Sequence, residues 1–243
     1  MITKLFSLIG AVVITVCVLV ALVFTSSATA ATKTSSSVNW TDSFSSDTLD
    51  GRWSWIREDV TSWSLTAQPG FLRLITQETF STVDNLLVQN APSGDYEILT
   101  RVLFEPTEDF QIAGLLMYQD DNNWLVLGRA FCNPIQAICV GNGIYFDYLE
   151  DGVFSNNNFS MTTTVLDEAY LKVVRHENVY TGYVSTDGTN WTFVGEQTIT
   201  ISPTKIGIKA SNQTQGATEI PADFDFFTLI DHSKYLYLPI ILK

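Results

Sequence analysis

Positive charge is scarce in this sequence, and its scarcity limits the partners that the protein can have. Lysine and arginine total 13 against 26 aspartate and glutamate residues, which gives a formal net charge of -13 in a chain of 243 residues. A surface of this charge repels nucleic acid and anionic membranes. The composition therefore excludes those partners and favours neutral ones such as extracellular polysaccharide, or cations such as calcium. Much of the acidity also serves solubility.

Histidine and the short motifs of common enzymes are also lacking. Of the two histidines in the chain, His176 precedes a predicted turn at Glu177-Asn178, and His232 lies in the C-terminal tail. The sequence contains no pair of histidines with metal-ligand spacing, no Gly-x-Ser-x-Gly nucleophile motif and no glycine-rich phosphate loop. We therefore favour a protein without a catalytic centre over an enzyme.

Cysteine is rare, and one of the three cysteines falls in an N-terminal targeting segment. Lys4 precedes an apolar run over residues 5–24, and Ala28-Thr29-Ala30 forms a small-x-small cleavage pattern. Residues 1–30 are therefore predicted to be a signal peptide. The alternative is an uncleaved signal anchor, because an apolar run of about 20 residues can span a bilayer. In either case the folded part is secreted or lies at the cell surface, and only an uncleaved leader would give it a membrane partner.

Helical periodicity is nearly absent from the rest of the chain, where strand patterns replace it. Short apolar segments follow one another at close spacing, separated by Asp-Gly and Asn-rich turns. This pattern predicts an all-β, two-sheet antiparallel β-sandwich. No internal repeat and no Pro- or Gly-rich linker divides it, so residues 42–230 are predicted to form one domain. A flexible leader at residues 31–41 precedes this domain, and a tail at residues 231–243 follows it.

The most continuous apolar stretch of the predicted domain lies near its centre. Residues 111–118 and 124–131 are nearly continuous apolar strands, and the polar residues 119–123 join them. Strands of this composition suit a central hairpin that is covered on both faces. Gly114 and Gly128 leave room there for side chains or backbone from the neighbouring layer.

Several segments, in this order and spacing, carry a resemblance to a known family. They are WSW with Arg57 at residues 53–57, PGFLRL at 69–74, AGLLMYQDDNNWLVLG at 113–128, VYTGYVSTDGTNW at 179–191, KIGIKASN at 205–212 and ADFDFF at 222–227. The chain resembles the concanavalin-like β-sandwich domain at the C-terminus of family 43 β-xylosidases, and related stand-alone proteins. The resemblance implies a twisted jelly-roll sandwich of the lectin and glucanase type. In the enzymes this domain packs beside a catalytic propeller, which this sequence does not contain, so that role is not carried over directly.

Catalytic carboxylates are not evident in the spacing that the resemblance would require. Glucanases of this fold carry a Glu-x-Asp-x-x-Glu strand, whose alternation points the acids at one sugar ring, and this chain lacks that spacing. The nearest acidic cluster, at residues 147–152, ends in Asp151-Gly152 and looks like a hairpin turn. The segment at residues 185–191 is one residue short of a sialidase Asp-box and is interpreted as a turn at Asp187-Gly188.

Aromatic side chains are the candidates for a ligand site, since sugar rings dock on flat aromatic faces beside a few orienting polar groups. Trp53 and Trp55 share one strand face and are predicted to be buried. Trp124 follows a polar turn and opens a central strand, so it is the aromatic residue expected to line a cleft. Its alternative is a core position, where most large aromatics lie. The candidate ligand-binding set is Trp124, Tyr118, Gln119, Asp120, Asn122, Arg129 and Tyr145.

A structural calcium ion is a second possibility, although no cofactor is required by the sequence. Sandwiches of this shape often tie their first and last strands together with a cation. Here Asp42 falls in the first strand and Asp223 and Asp225 in the last, and calcium prefers six to eight oxygen ligands. The alternative is that these last two carboxylates face outward while Phe224 and Phe226 point to the core.

These observations together predict a secreted, non-catalytic β-sandwich protein that binds an extracellular polysaccharide or another glycan. Two alternatives belong to different classes. One is a glycoside-processing enzyme or an accessory domain of such an enzyme, which would bring two carboxylates together in a cleft. The other is a structural or adhesive cell-surface protein, which would present a flat face with few aromatic residues.

The two cysteines beyond the leader are predicted to form a disulfide bond. Export places Cys132 and Cys139 in an oxidising setting where a bridge persists. Cys132 ends one predicted strand and Cys139 opens the next, so the two should face each other across a short turn that contains Pro134. The alternative is a pair of buried free thiols. The closed loop is short, so the entropic stabilisation is expected to be about 2–3 kcal/mol.

We expect that Cys132 and Cys139 cannot be alkylated in the unreduced, denatured protein. Peptide mapping by mass spectrometry after alkylation should recover the two residues in one linked species. Reduction before alkylation is the control, and it should label both thiols. Two alkylated cysteines without prior reduction would rule the bridge out.

Overall fold

The computed structural model describes residues 38–78, 84–135, 139–155, 158–163, 167–214 and 216–232. The predicted signal peptide, residues 31–37 of the predicted leader and residues 233–243 of the predicted tail lie outside these ranges. Residues 38–41, predicted as part of the flexible leader, instead belong to a β-strand, Val38–Asp42, whose Trp40 packs against the core, so the domain begins earlier than predicted. Within them the chain forms sixteen β-strands and no helix. No helix long and apolar enough to cross a membrane occurs in these ranges either.

The strands form two antiparallel sheets, as predicted. The first sheet contains, in spatial order, β14 (Thr192–Thr198), β13 (Val179–Ser185), β12 (Glu168–His176), β6 (Tyr96–Leu103), β16 (Pro221–Asp231), β4 (Leu72–Ile75) and β3 (Trp63–Ser64), with β1 (Val38–Asp42) also paired to β16. The second contains β10 (Val153–Phe154), β9 (Gly141–Glu150), β8 (Asn123–Cys132), β7 (Ile112–Asp120), β15 (Lys205–Ser211), β5 (Leu86–Asn90) and β2 (Ser54–Ile56), with β11 (Phe159–Thr162) paired to β9.

The core lies between the two sheets and follows the alternation of the strands. In β6, Tyr96, Ile98, Thr100 and Val102 are buried while the residues between them are partly exposed, as the alternation of side chains along a strand requires. The side chains that meet between the layers come from both sheets, and they include Leu72, Phe224 and Phe227 from the first and Leu115, Leu127, Phe146 and Ile208 from the second. The all-β sandwich architecture is therefore confirmed.

A bulge in β16 changes which phenylalanine reaches the core. The register against β6 shifts between Phe224 and Phe226, so one extra residue is inserted there. As a result Phe224 and Phe227 are buried, whereas Phe226 is partly exposed and lies beside Tyr170. The expectation that Phe226 points to the core is wrong for this reason.

Trp53 is buried, as predicted, whereas Trp55 is only partly buried. Trp53 is buried among Trp40, Phe44 and Phe227. Trp55 is partly buried against the core, and its ring centroid lies 4.9 Å from that of Trp63. An edge strand has a neighbour on one side only, which leaves Trp55 this residual exposure.

The predicted central hairpin is confirmed as β7 paired with β8. Its register runs from Ile112 opposite Ala130 to Tyr118 opposite Trp124, with an irregularity near the turn. The loop is shorter than residues 119–123, because Asp120 accepts hydrogen bonds from the Asn122 backbone and the Asn123 side chain. The carboxylate thereby holds a tight turn and lets both strands extend further than their apolar residues indicate.

Gly114 is required where these two strands come together. A Cβ atom built at Gly114 would collide with the carbonyl oxygen of Leu127 and would lie 2.5 Å from the Cα atom of Gly128. Backbone atoms cannot give way as a flexible side chain can. The hairpin therefore depends on glycine at this position.

We predict that Gly114→Ala destabilises the domain by about 1–3 kcal/mol, because the added methyl group forces the backbone of two strands apart. Chemical denaturation measures the change in the free energy of unfolding. Gly51→Ala is the matched control, since a Cβ atom at Gly51 meets nothing within 4 Å. Equal stability of the two variants would contradict the prediction.

Candidate functional site

The second sheet has an outer face, turned away from the core, that is as apolar as a protein interior. Val88, Leu116 and Val126 project on this face from β5, β7 and β8, and each is at most 1% exposed. They belong to two apolar clusters that are separate from the core between the sheets. A sheet that is buried on both faces explains the unbroken apolar runs in β7 and β8.

Strand register defines three neighbouring rows of residues on the outer face. The first row runs Lys209, Gly114, Gly128, Tyr145 across β15, β7, β8 and β9; the second runs Gly207, Leu116, Val126, Asp147; and the third runs Lys205, Tyr118, Trp124, Leu149. Two adjacent glycines thus lie between Lys209 and Tyr145. The side chain of Ile112 from β7 lies over Gly128, where a Cβ atom would come 2.6 Å from its Cγ1 atom.

Trp124 lies on this outer face and not in the core. It is partly exposed and packs between the two outer apolar clusters. The edge of its ring meets Phe154, with centroids 5.8 Å apart and an interplanar angle of 84°. The ammonium nitrogen of Lys209 lies 5.0 Å from the centroid of the Trp124 ring, a distance at which a cation is attracted to an aromatic face.

Lys209 and Asp147 place opposite charges on this apolar face. Lys209 is 2% exposed, and burial lowers its pKa to about 8. Burial raises the pKa of Asp147 to about 7, while the charge of Lys209 opposes that rise. Among the described residues neither side chain has a hydrogen-bonding partner. Both charges therefore carry a desolvation cost, which their mutual attraction and the ring of Trp124 offset only in part.

A network of polar groups borders Trp124 at the hairpin end of the outer face. The Tyr118 hydroxyl donates to Asp121 at 2.9 Å, and the Arg57 guanidinium donates to both oxygens of the same carboxylate at 2.9 and 3.1 Å. The pKa of Tyr118 is raised, first by burial and then by its bond to Asp121. Asp84 lies 3.6 Å from Arg57. This network fixes the hairpin turn against the loop that contains Arg57.

Residues 41–229 match the family described as the β-xylosidase C-terminal concanavalin A-like domain. The chain belongs to this family. Over 90 residues it is 33% identical to a putative β-xylosidase of Escherichia coli (strain K12), and this match covers 35% of the chain and 17% of that protein.

Solved structures share the fold of this concanavalin A-like domain. The GH43 BlXynB protein of Bacillus licheniformis superposes with a TM-score of 0.65 at 24% identity, over 78% of this chain and 39% of that one. The xylan β-1,4-xylosidase of Bacillus halodurans C-125 superposes with a TM-score of 0.64 at 23% identity, over 79% and 39%. The chain therefore spans about two fifths of the length of these structures.

Three of the predicted ligand-binding residues of this domain share the outer face. Tyr118 and Trp124 lie opposite each other in the third row, and Tyr145 lies in the first row, with the row of Leu116 and Val126 between them. Tyr145 is buried, and its hydroxyl donates to the Gly141 carbonyl at 2.8 Å and accepts from the Val140 backbone at 3.0 Å. Its oxygen is therefore used by the protein, and the ring is what it can offer to a ligand.

Three further candidates are engaged at the hairpin turn. The Gln119 side-chain oxygen accepts from the Ser202 backbone at 2.8 Å. The Asp120 carboxylate holds the turn, and hydrogen bonding, chiefly from Asn123, lowers its pKa. Asn122 is exposed, and its carbonyl accepts from the Gly152 backbone at 2.9 Å. All three residues therefore make contacts that hold the turn in place.

Arg129 is not brought together with Trp124, which corrects its place in the predicted set. Alternation along β8 puts Trp124 and Arg129 on opposite faces of the sheet. The Arg129 guanidinium is fully buried and donates to the Ala130 and Gly143 carbonyls and to Asn142 at 3.0–3.1 Å. Burial lowers its pKa to about 10.

The three carboxylates considered for calcium do not form a cation site. Asp42 accepts from the indole of Trp53 at 2.8 Å, and Asp223 pairs with Arg73 through two bonds of 2.7 Å. Asp225 lies 3.2 Å from a guanidinium nitrogen of Arg101. No group of three or more acidic, histidine or cysteine side chains in the described ranges is placed to hold a metal ion. The residues therefore do not fit a calcium ion.

Cys132 and Cys139 are placed as a bridge requires. Their Cα atoms are 5.1 Å apart, and the structure joins the two sulfur atoms. Cys132 belongs to the same outer apolar cluster as Val126 and Tyr145, and Cys139 packs against that cluster. The bond itself stays a prediction for the alkylation experiment.

Sequence reasoning missed Lys209, and it grouped Asp147 with the acidic cluster that ends in the turn at Asp151-Gly152. Asp147 belongs to β9, and the turn that follows is formed by Asp151 and Gly152, both with positive φ. The sequence of β15 did contain a signal, because Gly207, Lys209 and Ser211 alternate with apolar residues and so indicate that one face of the strand is not apolar. That signal does not reveal which strand brings the opposite charge, because register between distant strands decides it.

We predict that Asp147→Asn gains stability relative to the native protein as the pH rises from about 4 to about 7. The folded state keeps the Asp147 proton up to a pKa of about 7, whereas an unfolded aspartate releases it near 3.8. The native protein therefore loses stability through this interval, by at most about 1.4 kcal/mol per pH unit. The asparagine side chain does not titrate in this interval, so the variant lacks this loss of stability with rising pH.

Chemical denaturation of both proteins across the interval measures the difference. Asp47→Asn, at an exposed position, is the control and should follow the pH profile of the native protein. Parallel profiles for the native protein and Asp147→Asn would contradict the prediction.

Proposed function

We propose that this domain binds a neutral polysaccharide chain on the outer face of its second sheet. The observation that carries the proposal is the position of Trp124, a partly exposed ring on an apolar face, with buried polar groups beside it. A sugar ring presents C–H groups on its flat sides and hydroxyl groups at its edge. An aromatic face with neighbouring polar groups complements both.

The related proteins support a carbohydrate as the ligand class. The curated relative is described as a putative β-xylosidase, and one of the solved structures is a xylan β-1,4-xylosidase. The net charge of -13 supports a neutral glycan over a polyanion. We therefore take xylo-oligosaccharides as the first ligands to test. The leader pattern at residues 1–30 supports a secreted or cell-surface location for this binding.

Binding is preferred to catalysis because the three rows described above hold one carboxylate, where hydrolysis needs two. In the three rows described above, Asp147 is the one acidic residue. Glycosidases of both stereochemical types place two carboxyl groups on either side of the scissile bond. The domain is therefore proposed to hold a glycan without cleaving it.

An accessory role beside a glycoside hydrolase is the second candidate. It is favoured by the lengths of the related proteins, since this chain spans 39% of each solved structure described above and 17% of the curated relative. In that case the bound glycan would be delivered to a catalytic domain. Both candidates use the same outer face, and both require Trp124 to contact the ligand.

We predict that Trp124→Ala weakens binding of xylohexaose by about tenfold or more, with each factor of ten corresponding to about 1.4 kcal/mol. The same change should cost little stability, whereas removal of a core tryptophan costs about 3–5 kcal/mol. Isothermal titration calorimetry and thermal unfolding give the two quantities. Because Trp124 is partly exposed, we expect its removal to reduce the affinity for xylohexaose much more than the stability of the fold.

Trp191→Ala is the matched control, because Trp191 is also partly exposed and also lies under a lysine. The Lys172 ammonium is 4.3 Å from its centroid, and Lys172 belongs to the first sheet. This variant should bind xylohexaose as the native protein does. Equal affinity of Trp124→Ala and Trp191→Ala would overturn the proposed function.

A further inference from the structure

We propose that Lys209 and Asp147 orient a neutral sugar ring on Trp124, Lys209 donating to one ring hydroxyl and Asp147 accepting from another. This inference rests on the proposed function and specifies the ligand class of the same site. Neither residue belongs to the set that the sequence indicates. The two become candidates because the sheet register brings them to one apolar surface.

The Lys209 ammonium has donors that the protein leaves unused. An ammonium carries three N–H donors and no acceptor, and that of Lys209 is buried beside the Trp124 ring without a hydrogen-bonding partner in the described chain. Attraction to an aromatic face offsets only part of the cost of burying an ion. A ligand oxygen at this point would supply the missing acceptor.

Asp147 supplies the complementary acceptor from the far side of the sheet. It stands three strands away from Lys209, in the row next to the one that holds Gly114 and Gly128. Although both residues are described, they form no ion pair with each other. An ionised carboxylate only accepts hydrogen bonds, so a donor and an acceptor face the same surface with a gap between them.

The gap has the character of a sugar subsite. Leu116 and Val126 form an apolar floor between the two charged groups, and Trp124 borders it. A hydroxyl group both donates and accepts, so neighbouring hydroxyls of one ring can satisfy a lysine and an aspartate together.

A neutral ligand fits this pair better than an anionic one. The charges of Lys209 and Asp147 oppose each other, so the surface between them has no net charge to attract a carboxylate. A uronic acid that approached Lys209 would also approach Asp147 and the net charge of -13 on the whole chain. Removal of the aspartate alone should therefore shift the preference toward anionic sugars.

The test compares two probes, xylohexaose and hexagalacturonate, by isothermal titration calorimetry on the purified protein. The native protein should bind xylohexaose about tenfold or more tightly than hexagalacturonate, and Lys209→Met and Asp147→Asn should each lose about tenfold for xylohexaose, as expected for one charged hydrogen bond. Asp147→Asn should at the same time bind hexagalacturonate more tightly than the native protein does. Lys209→Gln repeats the test with a polar side chain, should the apolar replacement fail to fold.

Lys172→Met is the matched control, since it removes a lysine that also lies over a tryptophan, on the other sheet. It should leave the affinity for both probes unchanged. Thermal unfolding confirms that each variant is folded before titration.

The outcomes separate this inference from the proposed function. If Trp124→Ala loses binding while Lys209→Met and Asp147→Asn bind as the native protein does, the outer face binds sugar and the present inference is wrong. A native preference for hexagalacturonate would also overturn it. If the native protein binds neither probe, or if Trp124→Ala binds as well as the native protein, both proposals fail.

Discussion

The second sheet of this sandwich is buried on both faces, and the rest of the structure depends on that constraint. One face completes the core with the first sheet, and the other packs its own apolar side chains around Trp124. The backbone of β7 and β8 meets this constraint through Gly114, where a side chain would strike the neighbouring strand. A polar group on the outer face is therefore shielded from water by its apolar neighbours, although this face is not part of the core between the sheets.

The two sheets treat their charged residues in opposite ways. On the first sheet Arg73 pairs with the buried Asp223, and the partly exposed Arg101 and Glu168 pair at 2.5 Å. Each of these charges has a hydrogen-bonded partner. On the second sheet Lys209 is buried and Asp147 is partly exposed, and burial moves the pKa values of both toward neutrality. Charges without partners weaken a fold, so their presence on one face points to a use in binding.

The turn residues show why a polar cluster in the sequence is a poor guide to a ligand site. The segment from Gln119 to Asn123 holds several groups that could contact a sugar, and the structure uses them to close the hairpin. Asp121 in the same turn is bound by Tyr118 and by Arg57. The polar side chains nearest Trp124 in the sequence thus hold the turn, whereas the groups that can meet a ligand come from distant strands.

The sequence by itself determined the fold class, the central hairpin and the position of the last turn before β10. These depend on local rules, since alternation of apolar residues sets a strand and Asp151-Gly152 sets a turn. Only the tertiary structure decided on which face of a sheet each side chain lies and which side chains it lies near. Arg129 falls on the core side and Phe226 on the solvent side, because one residue of phase or one bulge reverses a side chain. Lys209 in β15 and Asp147 in β9 lie on the same face with β7 and β8 between them. No local sequence pattern encodes the register between strands so far apart in the chain.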